Sequence, residues 1–199
     1  MASFRYFILF KPFGMLSQFS REGDHPALSD LAFSFPKDCY PVGRLDHDSE
    51  GLLLITNDKG LNHQLLDPQY KHQRTYWVQV EGHINEEAIG KLESGVEISI
   101  NGKKHKTLPA KAKAIQAPAL PERNPPIRFR KNVPDSWLEL ALTEGKNRQV
   151  RRMTAATGFP TLRLVRSAIA NLKLGTLQPG DVQEMDSKEL FPLLKIKRS

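Results

Sequence analysis

A short apolar run, LLLI at residues 52–55, is the sequence feature that most constrains how this chain folds. Gly51 precedes the run and the polar residues NDKG, 57–60, follow it. A run of this length with such flanks is typical of a fully buried strand. The NDKG residues predict a tight turn. Gly43, ahead of the strand, permits backbone conformations that other residues avoid. Segment 43–60 therefore predicts a loop, a buried strand and a turn in succession.

The loop before this strand carries Asp46, with Arg44 two positions earlier. A glycine-flanked loop of this kind can present a single acid to a pocket. The same spacing also suits an Asp that caps a turn and accepts hydrogen bonds from backbone donors. The spacing leaves both interpretations open.

A basic segment, LTEGKNRQVRRM, occupies residues 142–153. A helix is expected from about position 147, and Arg148, Arg151 and Arg152 would then share one face, because residues three and four apart are helix neighbours. Three such cations repel one another unless an anion lies opposite them. The alternative is a basic helix that is simply solvated. An isolated acid together with a basic helix suggests an acid that works on a polyanion.

The charge balance favours an anionic partner. The 199 residues include 29 Lys and Arg against 22 Asp and Glu, a formal charge of +7. Such an excess favours phosphate-bearing partners or a membrane surface, but no apolar run approaches the roughly 18 residues of a membrane-spanning helix. The single Cys39 cannot form an internal disulfide and is expected to be a small core residue. We therefore expect a cytoplasmic protein with no membrane partner.

Strand and helix patterns alternate without the regular repeat of a parallel sheet. The turn signal Asn101-Gly102 favours a hairpin, and the whole pattern predicts an α+β fold with a mixed, mostly antiparallel sheet and flanking helices. We predict one domain over residues 1–199, with two lobes joined near 117–135 if it is divided. The expected strands are 6–10, 39–43, 51–56, 75–81, 96–100, 110–116, 137–143 and 161–165, and the expected helices are 27–32, 61–66, 86–94, 148–156 and 188–194.

A proline-rich basic segment spans residues 117–134. It holds five prolines together with Arg123, Arg128, Arg130 and Lys131. Proline removes backbone donors and fixes the local chain direction, so the segment is expected to be a stiffened loop rather than a helix or strand. A plain linker is the alternative. We prefer a loop that lies along the polyanion, because long connections without regular structure are usually functional.

Taken in order, these motifs are similar to those of the RsuA-type ribosomal RNA pseudouridine synthases, which carry a GRLDxxSxGLLLxTNDG loop and an EGxNRQVRRM segment. Two further stretches, RNPPIRFRKNVPDSW at 123–137 and GFPTLRLVR at 158–166, resemble the RluE subgroup. The similarity runs over residues 7–185. It implies a curved sheet with the active-site cleft across its middle, conversion of uridine to pseudouridine in 23S ribosomal RNA, and RNA held without an S4 domain. We expect a monomer.

The resemblance also assigns roles to individual residues. Asp46 matches the catalytic acid, which either attacks the ribose carbon or removes the neighbouring 2′ proton. Arg151 matches its cationic partner, with Arg148 as the fallback. Tyr76 matches the aromatic residue that stacks on the target uracil, and Leu164 the apolar residue beneath the base. Further candidates for substrate binding are Arg44, Arg123, Arg128, Arg148 and Arg152.

No cofactor or metal is expected, because the isomerisation exchanges no atoms or electrons with an outside group. The chain carries neither a phosphate-cradling glycine motif nor a dinucleotide fingerprint, and its six His residues lack metal-ligand spacing. His47, beside Asp46, is expected to be a surface or RNA contact. Two alternatives are a noncatalytic RNA-binding protein on the same scaffold and a metal-dependent nuclease that uses Asp46, Asp48 and Glu50.

Overall fold

The computed structural model describes residues 4–127 and 133–196, which form an α+β fold with mostly antiparallel strands. Its strands are β1 Tyr6–Lys11, β2 Tyr40–Pro41, β3 Glu50–Thr56, β4 Arg74–Glu81, β5 Glu97–Ile100, β6 Lys103–Lys106, β7 Lys111–Ile115, β8 Asp135–Leu142, β9 Thr161–Ile169, β10 Leu172–Lys173 and β11 Val182–Met185. Its α-helices are α1 Lys59–Leu66, α2 Glu86–Ser94, α3 Gln149–Ala156 and α4 Ser187–Leu194. No helix in these described ranges is long and apolar enough to cross a membrane.

The chain divides into two compact units. The first unit comprises residues 1–72 and 166–199, and the second comprises residues 73–165. Strand β9 crosses the division, so its first five residues belong to the second unit and its last four to the first. The segment 117–135, at which the sequence suggested a junction, lies inside the second unit.

In the first unit the strands run in the order β11, β1, β3 and the end of β9, with β2 paired to β3 and β10 paired to β9. Strands β1 and β3 are fully buried and pair antiparallel, with Phe7 opposite Ile55 and Leu9 opposite Leu53. These four side chains form a core together with Cys39, as the sequence predicted for that thiol. The buried strand predicted at 51–56 is thus confirmed.

In the second unit the order is the start of β9, then β4, β8 and β7, and the hairpin of β5 and β6 forms a separate small sheet. The β4–β8 pairing places Val78 opposite Leu138 and Tyr76 opposite Leu140, and these strands pack against α2 and α3 through Leu92 and Val150. The predicted Asn101-Gly102 hairpin is present, and both of its turn residues have positive φ.

Two local predictions were wrong, and three strands were missed. The NDKG turn is instead the start of α1, because the Asp58 side chain accepts a hydrogen bond from the Leu61 amide and caps the helix. The helix expected at 27–32 is only a three-residue 3-10 turn, since the Asp30 carboxylate accepts from the Ala27 amide and the chain becomes extended at Leu31. Strands β6, β10 and β11 were not predicted. In β6, KKHK, no apolar alternation marks the strand.

Candidate active site

The loop that carries Asp46 is held by hydrogen bonds to the buried Ser17 side chain and to the Gly14 backbone. The Ser17 hydroxyl donates to the Leu45 carbonyl at 2.8 Å and accepts from the Leu45 amide at 3.0 Å. The Gly14 amide donates to the His47 carbonyl at 2.7 Å. Asp46 itself opens a turn that the Ser49 amide closes on its carbonyl oxygen at 3.0 Å. The backbone is therefore fixed on both sides of Asp46, whose side chain is half-buried.

Lys11, at the end of β1, is a fully buried cation below this loop. Its ammonium donates to the carbonyls of Pro12 at 2.8 Å and Met15 at 2.7 Å, and lies 3.5 Å from the carbonyl of His47. Burial lowers the Lys11 pKa to about 7, although the carboxylates of Glu50, Asp48 and Asp46 favour the charged form. Lys11 thus ties strand β1 to the loop and adds positive charge near its acids.

The second residue of β3, the strand that follows the loop, has room only for glycine. Gly51 has φ +106°, and a Cβ there would lie 2.6 Å from the Arg166 backbone nitrogen and overlap its carbonyl oxygen. The Arg166 side chain also donates to the Leu52 carbonyl at 2.7 Å. This close approach fixes where the Asp46 loop leaves the sheet of the first unit.

Tyr76 and Leu164, the two residues assigned to the target base, lie in the second unit and contact one hydrophobic core. Leu164 is 5% exposed and belongs to the core, and Tyr76 is half-buried against it. The pleat of β4 accounts for the position of Tyr76, because Tyr76, Val78 and Val80 are two residues apart and lie on the same face of the strand. The structure therefore brings these two predicted residues to the same core.

The start of α3 differs from the prediction. The helix begins at Gln149, and Arg148 is its N-cap in the left-handed conformation, so Arg148 does not continue the face of Arg151 and Arg152. The Gln149 side chain accepts from the Lys146 amide at 2.9 Å and donates to the Glu144 carboxylate at 2.6 Å. This network, unforeseen from the sequence, fixes the loop that precedes the helix.

The electrostatics at this helix start favour an anion. Arg148, Arg151 and Arg152 stand at the N-terminal end, where the helix dipole is positive, and the first turn has no acidic residue. Cations at that position are unfavourable unless an anion binds there. Arg151 is half-buried. The N-terminal end of α3 is therefore strongly positive.

Three of the remaining predicted contact residues make hydrogen bonds within the protein. Arg152 donates to the carbonyls of Asn147, at 3.1 Å, and Ser99, which fastens the β5–β6 hairpin to α3. Arg44 is exposed and donates to Gln18 at 3.4 Å. Arg123 donates to carbonyls of its own loop. Arg128, Arg130 and Lys131 lie outside the described residues.

Several supporting residues escaped the sequence reasoning. Lys11, Ser17 and Arg166 hold the Asp46 loop and its strand, yet none stands in the GRLD motif. Lys11 and Ser17 lie within residues 7–185, over which the sequence resembles the family, and Arg166 ends the GFPTLRLVR stretch, so this resemblance was the available signal. The half-buried hydrophobic contact of Tyr76 and the burial of Leu164 follow the predicted strand patterns.

Comparison with known proteins identifies the class. Residues 5–156 match the family model described as RNA pseudouridylate synthase. A solved structure described as a pseudouridylate synthase superposes with a TM-score of 0.79 at 26% identity, covering 97% of this chain and 75% of that chain. A human protein described as RNA pseudouridylate synthase domain containing 1, at 16% identity and a TM-score of 0.56, shares the fold. The chain belongs to the RNA pseudouridylate synthase family, as its motifs predicted.

Two curated relatives at about 50% identity carry the same name. The Xanthomonas axonopodis pv. citri protein called ribosomal large subunit pseudouridine synthase E is 52% identical over 86% of this chain and 89% of its own length. The Vibrio parahaemolyticus protein of the same name is 50% identical over 88% of this chain and 71% of its own length. A Bacillus subtilis relative named ribosomal large subunit pseudouridine synthase B is 36% identical. The predicted resemblance to the E subgroup is thus confirmed.

Proposed function

We propose that this chain isomerises a uridine of large-subunit (23S) ribosomal RNA to pseudouridine, with Asp46 as the catalytic carboxylate. The observation that carries the proposal is the fixed backbone on both sides of Asp46, in a chain of net charge +7. The substrate follows from the names of the relatives at about 50% identity. A cytoplasmic location is part of the proposal, since ribosomal RNA is modified there.

The reaction requires the bond between uracil N1 and the ribose to break, the base to turn, and uracil C5 to bond to the same ribose carbon. Asp46 either attacks that carbon as a nucleophile or removes the 2′ proton, and both routes begin from an ionised carboxylate. No atom, electron or energy source from outside is used, so a cofactor has no role in this proposal. The C5 proton must leave at the end, and the Tyr76 hydroxyl is the candidate to assist it.

Further residues are proposed to hold the base and the phosphates. Tyr76 stacks on the uracil and Leu164 packs beneath it, while Arg151 acts as the cation for the Asp46 carboxylate. Arg44, Arg148 and Arg152 contact phosphates. A uridine inside a paired helix is out of reach, so the enzyme takes it from a loop or flips it out at a cost of about a few kcal/mol.

The direct test incubates the protein with unmodified large-subunit RNA and maps pseudouridine by carbodiimide treatment and primer extension. We expect one stop that depends on active enzyme. Asp46→Asn should abolish turnover while RNA affinity stays near the wild-type value, because the change removes a negative charge from a site for a polyanion. Asp48→Asn, two residues along the same loop, is the matched control and should retain most activity. Multiple turnover by Asp46→Asn would refute the assignment, and RNA binding without any modification would favour a noncatalytic binder.

The proposed cation is tested by a second pair of variants. Arg151→Ala should lower kcat by about 10²-fold, the usual effect of removing a group that stabilises charge at the reacting atoms. Arg148→Ala, at the helix cap, should mainly raise KM. A larger loss of kcat in Arg148→Ala than in Arg151→Ala would show that the roles are exchanged.

A further inference from the structure

One carboxylate of the second unit, that of Glu144, contacts three separate parts of the chain. Its Oε1 accepts from the Leu108 amide at 2.8 Å and from the Gln149 side chain at 2.6 Å. Its Oε2 lies 3.3 Å from Nε2 of His105. The Glu144 side chain is 11% exposed, so these contacts are largely shielded from water. Loss of a shielded acceptor leaves its donors unpaired, which is costly.

The groups around Glu144 belong to elements that are fixed independently of it. His105 lies in β6, the second contact lies in the connection from β6 to β7, and Gln149 is the first residue of α3. The connection is anchored at Thr107, whose amide donates to the Val96 carbonyl at 3.0 Å and whose hydroxyl accepts from the Val96 amide at 2.9 Å. Glu144 therefore ties the start of α3 to a part of the chain that already has a defined position.

The Gln149 side chain connects Glu144 to the helix start. Gln149 is 4% exposed, and its side-chain oxygen accepts from the Lys146 amide at 2.9 Å. Its own backbone amide donates to the Lys146 carbonyl at 3.1 Å. The N-cap residue of α3, Arg148, makes no side-chain capping hydrogen bond. The contacts of Gln149 thus fix where the helix begins, which an N-cap side chain does in many other helices.

The position of this helix start matters because Arg151 stands in its first turn, two residues after Gln149. Arg151 is the cation proposed for the Asp46 carboxylate, and any shift of the turn moves its guanidinium. A displacement of about 1 Å at a reacting group can cost about 10²-fold in rate. A second link, from the Arg152 side chain to the Ser99 carbonyl, fastens α3 to the β5–β6 hairpin.

We propose that Glu144 is a positioning residue for the reaction, which holds the start of α3 through Gln149 and thereby sets the place of the Arg151 guanidinium. The proposal rests on the role of Arg151 in the proposed function. Glu144 acts through the geometry of its acceptors rather than through its charge. A glutamine at position 144 keeps that geometry, because one amide oxygen accepts two hydrogen bonds and the amide NH₂ can donate to a ring nitrogen of His105. An alanine keeps none of it.

The kinetics of pseudouridine formation on large-subunit RNA test the proposal. Glu144→Ala should lower kcat by roughly tenfold or more, because Arg151 is displaced. Glu144→Gln should stay within about twofold of the wild-type kcat, because the acceptor geometry is kept. Glu139→Ala removes another carboxylate of the second unit, one that pairs with Lys113 at 3.0 Å. It is the matched control and should keep the wild-type kcat.

A double variant separates positioning from general destabilisation. Glu144→Ala combined with Arg151→Ala should be no slower than Arg151→Ala alone, because a residue that acts through Arg151 then has nothing left to position. Gln149→Met removes the same link from the helix side and keeps the side-chain size. It should show the same loss of kcat, and the same lack of further loss beside Arg151→Ala, and it replaces Glu144→Ala if that variant folds poorly.

Amide hydrogen exchange of the free protein gives a measurement that does not depend on activity. Glu144→Ala should exchange faster at α3, while the paired strands β4 and β8 keep their wild-type protection. Equal loss of protection in all these elements would show a structural role only and would overturn the proposal.

Three further results would overturn the positioning role. They are losses that multiply in the double variant, equal kcat values for Glu144→Gln and Glu144→Ala, and unchanged exchange at α3. A wild-type kcat in Arg151→Ala would instead show that the proposed function has the wrong cation, and a wild-type protein that forms no pseudouridine would refute the proposed function itself. In both of these cases faster exchange at α3 in Glu144→Ala would still support the hold of Glu144 on the helix.

Discussion

Lys11 is an ammonium with no exposed surface, and its three carbonyl contacts are what make its burial tolerable. Burial of a charge is costly unless hydrogen bonds replace the lost water. The carbonyl acceptors are those of Pro12 and Met15, just after β1, and of His47, in the Asp46 loop. The single Lys11 side chain thus supplies several hydrogen bonds that connect these two segments.

The Lys11 environment predicts a pH dependence of stability. Burial lowers the pKa of Lys11 to about 7, against about 10.5 in the unfolded chain. Between these values the unfolded chain binds a proton that the folded chain lacks, so the free energy of unfolding rises with pH. This contribution is lost as the pH falls through about 7. Lys11→Met should flatten the rise by up to about 1.4 kcal/mol per pH unit, as measured by urea unfolding at a series of pH values.

The control for this experiment is Lys111→Met, which changes an exposed lysine on β7. It should keep the wild-type slope. The comparison concerns slopes alone, because Lys11→Met also removes hydrogen bonds and lowers stability at every pH. An unchanged slope in Lys11→Met would contradict the assignment.

At the scale of elements, the approach of β3 to β9 depends on the absence of a side chain at Gly51. A Cβ would collide with the Arg166 backbone, and the positive φ is unfavourable for any other residue. The strand that follows the Asp46 loop therefore has one permitted residue at its second position. Gly51 is part of the GRLDxxSxGLLLxTNDG pattern, but the sequence alone did not show that its backbone contacts Arg166.

Gly51→Ala should lower the free energy of unfolding by about 3 kcal/mol or more, since overpacking adds to backbone strain. Gly175→Ala is the matched control, because Gly175 also has positive φ, +61°, but nothing lies within 4 Å of its missing Cβ. It should cost only the strain, about 1–2 kcal/mol. Equal losses in chemical denaturation of the two variants would show that the Arg166 contact is not tight.

Across the whole molecule, the net charge is +7, but several cations are paired with carboxylates within the protein. Lys104 pairs with Glu97 at 2.9 Å and Lys113 with Glu139 at 3.0 Å, so the basic hairpin and β7 carry less free charge than their sequence suggests. The proline-rich segment is the other concentration of cations, although its described part lines the sheet face opposite Tyr76. The salt dependence of RNA binding by variants of each surface would show which of the two surfaces RNA contacts.

Changing Arg123, Arg128 and Arg130 together to Ala should reduce the slope of log affinity against log salt by roughly two to three units, because each lost phosphate contact releases about one counterion fewer. Activity at saturating RNA should survive better than affinity. The comparison variant changes Lys103, Lys104 and Lys111 to Ala. A wild-type slope in the arginine variant with a reduced slope in the lysine variant would place the RNA path over the hairpin and β7.

Local sequence patterns were sufficient to predict most of the helices and strands. Strands β1, β3, β4 and β8 and helices α2 and α4 fall within two residues of their predicted bounds, because burial, alternation and capping signals agree there. The wrong and missed elements have local causes that the hydrophobic pattern does not show. Asp58 turns a predicted turn into a helix cap, and the polar β6 is stabilised by its partner strand rather than by an apolar face.

The sequence by itself determined the family, the α+β class and the residues of the motifs, because each motif fixes a local backbone and a local charge. Only the tertiary structure decided which distant groups hold them. Lys11 and Ser17 reach the Asp46 loop from about thirty residues away, and Arg166 contacts Gly51 across more than a hundred. The described part of the proline-rich segment borders a cavity with β4 and β8. Such contacts depend on chain packing in three dimensions, where buried polar groups must find partners wherever the fold supplies them.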